Sequence, residues 1–134
     1  MSAILRIALN DQDAATKRAA ILALTEWPDA TPVPDLMATA RSASNPAHQV
    51  LAVRGVVQLV GIPAPSRPPR ESVKMLADVM SLATHAEEKR AVLALLPKFS
   101  VRESLDLANA SVNDPEVGAE AKAAVTRLQR TVRR

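Results

Sequence analysis

Apolar residues along this chain recur three and four positions apart. Ala20, Ile21 and Leu24 mark one stripe, Val53, Val56, Val57 and Val60 a second, and Val92, Leu95 and Leu96 a third; Val117, Ala121, Ala124, Val125 and Leu128 make a fourth. Between them run weaker stripes: Leu36, Ala40 and Ala43, then Val73, Leu76, Ala77 and Met80, then Val101, Leu105, Ala108 and Val112. A half-buried strand would alternate with period two, whereas this spacing gathers the apolar side chains on one face of a helix. The pattern predicts eight helices, over residues 2–10, 13–27, 34–43, 46–61, 71–83, 85–97, 101–112 and 115–132.

The stripes are themselves repeated. "AILAL" at Ala20–Leu24 returns as "AVLAL" at Ala91–Leu95, with "GVVQL" at Gly55–Leu59 midway and "AVTRL" at Ala124–Leu128 beyond. The first residues of these copies lie 35, 36 and 33 apart, the period of helical-hairpin repeats. Pro28, Pro63 and Pro97 follow the first three copies and each ends a helix, because proline lacks the N–H and clashes with the preceding turn. Asn10, Asn45 and Asp114 stand ten residues before their copies as N-caps, the last two followed by Pro46 and Pro115. In the third copy Thr84 with Glu87 is expected to form a capping box, and Ser100 with Glu103 another. One domain, 1–134, of four units (1–30, 31–64, 65–98 and 99–134) follows. A lone hairpin leaves one apolar face bare, so stacking on neighbours is what stabilises each.

Composition narrows the class. In 134 residues, 48% are apolar and 23% charged, enough to build a core. Trp27 and Phe99 are the only aromatic rings, so Ala, Leu and Val fill the interior, which favours closely packed helices. Three glycines are too few for the turns of an all-β fold, while ten prolines suffice to punctuate helices. Cysteine is absent, which excludes disulfides and thiolate metal sites.

"NDPEVGAEAKAAVTRL", Asn113–Leu128, resembles the second helix of a HEAT repeat of the short bacterial type seen in phycobilisome-lyase-like proteins, and "VRGVVQLVG", Val53–Gly61, is similar to the close of that helix. The resemblance covers nearly the whole chain. It implies an all-α fold, a right-handed α-solenoid of four HEAT-like hairpins and eight helices, acting as a protein-interaction scaffold. Gly118 departs from the pattern, which often carries Arg there, and His48 replaces the Val of the Asp-Pro-Glu-Val start in the second copy. "LTEWPDATPVPDLMATARSASNPAHQVLAVRGVVQLVG" also resembles HEAT modules embedded in large bacterial multidomain proteins. That likeness implies a spacer cut from a larger chain as an alternative role, with an extracytoplasmic setting as the alternative to the cytoplasm. The N-terminus does not read as a signal peptide, and the longest apolar runs, such as "GVVQLVGI", are too short to be expected to span a membrane.

Chemical motifs are scarce. There is no Gly-rich phosphate loop, no Gly-x-Ser-x-Gly elbow and no His-Glu-x-x-His, so no enzyme activity, cofactor or metal site is expected. His85 and Glu88 sit three apart but are an incomplete ligand set, read as a solvated helix start. His48 is read as a helix-start polar residue, and Trp27 as a plug between the first two hairpins, with a binding hot spot as the sharper alternative. "GIPAPSRPPRE", Gly61–Glu71, holds Pro65-x-x-Pro68 beside Arg67 and Arg70 and is read as a stiff linker.

Charge adds a candidate surface. The net charge is +3 with pI near 9.8, and Arg18, Arg54, Lys89, Arg90 and Lys122 recur just before the repeat anchors. Stacked repeats would align them as a basic ladder suited to an acidic partner, with a solvated face as the bland reading. HEAT-like DNA glycosylases are the family precedent for a nucleic-acid or DNA-repair role. With only two aromatic rings for base stacking, that role is disfavoured. At the C-terminus Arg127, Arg130, Arg133 and Arg134 are expected to seal the last helix. In the first helix Ile4, Leu5, Ile7 and Leu9 spread around the circumference. Ile4, Leu5 and Ile7 are expected to form an interface with a second copy or with a neighbouring domain.

Overall fold

The computed structural model describes residues 3–132. Their order is α1 (Ala3–Leu9), α2 (Ala14–Thr25), α3 (Val33–Ser42), α4 (Pro46–Val60), α5 (Pro69–Leu82), α6 (Ala86–Leu95), α7 (Arg102–Asn109) and α8 (Gly118–Thr131), with a 3-10 turn at Leu96–Lys98. The described residues are all-α, without a strand. They fall into two compact units, Met1–Ala64 and Pro65–Arg134.

In the first unit α1 packs on α2, α3 on α4, and α2 on α4, so the second helices of successive hairpins meet. Ile21, Leu24, Leu36, Val53, Val56, Leu59 and Val60 are its largest sealed side chains. Each contributes about 1.5–3 kcal/mol by leaving water. In the second unit α5 packs on α6 and α7 on α8, while α5 also meets α7 and α6 meets α8. Leu76, Val79, Leu93, Leu96 and Leu128 close that core.

The helix ends follow local chemistry and depart from the expected spans at several points. α2 is capped by Asp13 rather than Asn10: the Asp13 carboxylate accepts from the Thr16 N–H at 3.1 Å and from its hydroxyl at 2.7 Å. Asn10 instead donates its side-chain amide to the Arg6 carbonyl at 3.0 Å, closing the end of α1. Asn45 caps α4 as expected, accepting from Ala47 N–H at 2.9 Å ahead of Pro46. α5 begins at Pro69, two residues early, because proline suits a first helical position. α6 and α7 carry His85 and Val101 at their N-caps rather than Thr84 and Ser100, and neither cap side chain bonds the first turn. Ser104 instead donates to the Phe99 carbonyl at 2.6 Å, holding the start of α7 against the preceding turn.

α8 starts at Gly118, three residues later than expected. Asp114 is consumed by an Asx turn, accepting from Glu116 N–H at 2.8 Å, so Pro115 lies in that turn and not in the helix. A Cβ at 118 would stand 2.9 Å from the Val112 carbonyl oxygen. That backbone approach accounts for glycine where the HEAT-like pattern often has arginine. The third stripe is shifted by one residue. Leu95 is only half-buried, while Val92, Leu93 and Leu96 are sealed at 0%, 1% and 0% exposure. Val92, Leu93 and Leu96 repeat the spacing of the sealed Ala20, Ile21 and Leu24 one residue later, so the shift is already present within α6, before the 3-10 turn begins at Leu96.

Candidate functional site

Helix α1 is seven residues long and carries its apolar side chains on more than one side. Leu9 faces the core at 5% exposure and Leu5 is half-buried. Ile4 and Ile7, three apart and therefore on one face, are 77% and 71% exposed. Leu22 on α2, at 41%, is a further large apolar side chain open to water. The expected trio Ile4, Leu5 and Ile7 is thus split: two residues form an outer apolar face and Leu5 turns partly inward.

Residues of α1, α2 and α3 enclose a cleft of about 160 Å³. Arg6 from α1, Lys17 from α2 and Asp35 from α3 line it together with the Thr39 and Ser42 side chains. Arg6 Nε stands 3.6 Å from Asp35 Oδ2, an ion pair too long for a hydrogen bond. Ser42 spends its hydroxyl proton on the Ala38 carbonyl at 2.9 Å. Sequence pattern did not single out Lys17 or Asp35. They lie 18 residues apart, on separate helices, and only the fold places them in the lining of one cleft. Arg6 was visible only as a polar point on an apolar helix.

The basic ladder divides by what each side chain touches. Lys89 Nζ lies 3.2 Å from Asp114 Oδ2, both about three-quarters buried. Arg90 donates to the Glu116 carbonyl at 3.3 Å and stands 3.7 Å from Glu120 Oε1. These two cations tie α6 to the turn before α8 and to α8 itself. The Asp114 carboxyl is held below its ordinary value, first by the Glu116 backbone N–H and then by the Lys89 side chain. Arg18, Arg54 and Lys122 are exposed. Arg67 and Arg70, beside the Pro65-x-x-Pro68 motif, are also engaged. Arg67 donates from Nε to the Ser72 hydroxyl at 2.7 Å, and Arg70 Nε pairs with Glu103 at 2.7 Å. Arg127 and Arg130 are exposed on α8, while Arg133 and Arg134 lie outside the described residues.

His85 and Glu88 come within 3.8 Å through Nδ1 and Oε2, but the Glu88 side chain is 1% exposed, so the reading of a fully solvated helix start is corrected. Thr84 Oγ1 lies 3.0 Å from the same His85 nitrogen. Among the described residues no three His, Asp or Glu side chains gather closely enough to hold a metal ion. His48 is buried at 6% exposure, and Trp27 is half-buried.

The described residues form two all-helical units of four α-helices each. No helix of the described residues is long and apolar enough to cross a membrane. Comparison with family models, curated proteins and solved structures returns no match.

Proposed function

We propose that this chain is a non-enzymatic helical-repeat scaffold of HEAT-like hairpins that docks another protein on the outer face of α1. The observation that carries this reading is the exposure of Ile4 and Ile7 on one face, while Leu9 of the same helix is sealed. Two large aliphatic side chains left in water forgo about 1.5–3 kcal/mol each, a stabilisation that a covering partner recovers. The hairpin packing within each unit, second helix on second helix, supports the repeat character. Nucleic acid is the weaker reading, since Lys89 and Arg90 of the basic ladder already face acidic groups of their own unit.

Site-specific photocrosslinking in the cells that make the protein tests the reading. A photoreactive residue at Ile7 is expected to capture one polypeptide, whereas the same residue at the exposed Gln129 on α8 captures none. Equal capture at both sites, or none at Ile7, overturns it. Capture of a second copy of the chain would identify the partner as itself.

A further inference from the structure

We infer that the cleft between α1, α2 and α3 is a receptor for a single carboxylate, the acidic side chain of the polypeptide segment that covers Ile4 and Ile7. The inference rests on the docking role proposed for α1 and names the chemistry of what docks there.

Three observations carry it. Arg6 lines the cleft and lies in sequence between Ile4 and Ile7, so one short helix supplies both a cation and the apolar face. Lys17, half-buried on another helix, contributes a second cation to the lining. One carboxylate, Asp35, opposes these two cations, and its 3.6 Å separation from Arg6 Nε leaves the pair without a hydrogen bond. The lining therefore carries one surplus positive charge. That balance matches a monoanion, whereas a phosphate, with more charge at neutral pH, would meet greater repulsion from Asp35.

The space agrees. A cleft of about 160 Å³ has room for a carboxylate and its first methylenes. Arg6 offers a planar fork whose terminal N–H groups are suited to bidentate pairing with a carboxylate, and Lys17 adds a point charge. Asn10, one turn on from Ile7 and bonded to its carbonyl, lines the cleft and connects it to the apolar face. The apolar contact would supply area and the ion pair would fix register.

Amide shifts in two-dimensional NMR test the site with acetate as the probe, against chloride at equal ionic strength and against inorganic phosphate. Acetate is expected to shift residues of α1, the start of α2 and α3 saturably in the millimolar range, with phosphate binding no more tightly. Lys17→Gln and Arg6→Gln should each weaken acetate by about five-fold or more, while Arg18→Gln, on the same helix as Lys17, leaves it unchanged. Shifts no larger than those of chloride, a phosphate preference of about ten-fold, or indifference to both substitutions would overturn the inference. Each variant's spectrum reports its own folding, so a variant that unfolds leaves the other to decide. A negative acetate result with successful crosslinking at Ile7 would remove the carboxylate receptor and leave the docking role standing.

Discussion

Gly55 and Thr25 meet where α4 crosses α2, so closely that a Cβ built on Gly55 would stand 2.5 Å from Thr25 Oγ1. Leu36 Cδ1 would lie at 3.3 Å on another side. The threonine has little freedom to yield, because its hydroxyl donates to the Ile21 carbonyl at 2.9 Å and its own carbonyl accepts from Gln58 at 3.2 Å. Glycine at this position is therefore a packing requirement, and it costs helix propensity to keep it there.

Gly55→Ala should gain about 0.8–1 kcal/mol of propensity and lose about 1–3 kcal/mol to overpacking, for a net loss of up to about 2 kcal/mol. In a Thr25→Ala background the Oγ1 contact disappears and the same substitution should become neutral or stabilising. Urea unfolding of the four proteins measures both effects. Equal changes in the two backgrounds would show that Thr25 is not the obstacle.

The two copies of the repeated line should respond unequally to truncation. Leu24→Ala removes a fully sealed side chain and should cost about 2–5 kcal/mol, as should Leu96→Ala. Leu95→Ala, at the position matching Leu24 by sequence, should cost less than about 2 kcal/mol because that side chain is half-buried. Urea midpoints ranking Leu95 above Leu96 would contradict the shifted frame.

Acid should loosen the chain through carboxylates that accept backbone N–H groups at a helix cap and in turns. Asp13 is held below the ordinary carboxylate value chiefly by the Thr16 hydroxyl, Asp29 by Thr31, and Asp114 by the Glu116 N–H and Lys89. A depressed folded-state value means that the stabilisation is complete above the unfolded value of about 3.9 and is lost as pH falls through the lower folded value. Asp114→Asn should therefore lower Tm at about pH 6, with the gap to the parent narrowing as pH falls below the unfolded value of about 3.9. A gap that stays constant over that range would show that the Asp114 charge does not contribute.

Ile7→Glu should leave folding nearly intact, within about 0.5 kcal/mol, because the side chain is 71% exposed. A loss beyond about 1 kcal/mol in thermal unfolding would place Ile7 in the core rather than on a docking face.

How much of this was legible in the sequence depends on the range of the interaction. The eight helices were readable from apolar spacing, because a helix's buried face is written in its own residues. The cap at Asn45 was readable for the same reason. Asp13 was missed as the cap of α2 because counting back from the repeat anchor favoured Asn10, whose side chain bonds backwards into α1. The start of α8 was misplaced because the "DPEV" run looks like a first helical turn, while the Asx turn at Asp114 and the close approach of Gly118 to Val112 are tertiary facts. The match between "AILAL" and "AVLAL" hid a one-residue shift that only the burial of Leu93, where the first copy exposes Leu22, reveals. Exposure of Ile4 and Ile7 was expected from their spread around α1. The cleft was not, since Arg6, Lys17 and Asp35 come from three helices.

The measurement that bears most directly on the docking role is the equilibrium affinity of the chain for the polypeptide captured at position 7. The parent, Ile7→Glu and Gln129→Glu would be compared, two substitutions that add the same charge to exposed positions on α1 and α8. The α1 docking face predicts that Ile7→Glu binds about ten-fold or more weakly, a difference of about 1.4 kcal/mol, while Gln129→Glu binds as the parent does. Equal affinities for all three proteins would contradict it.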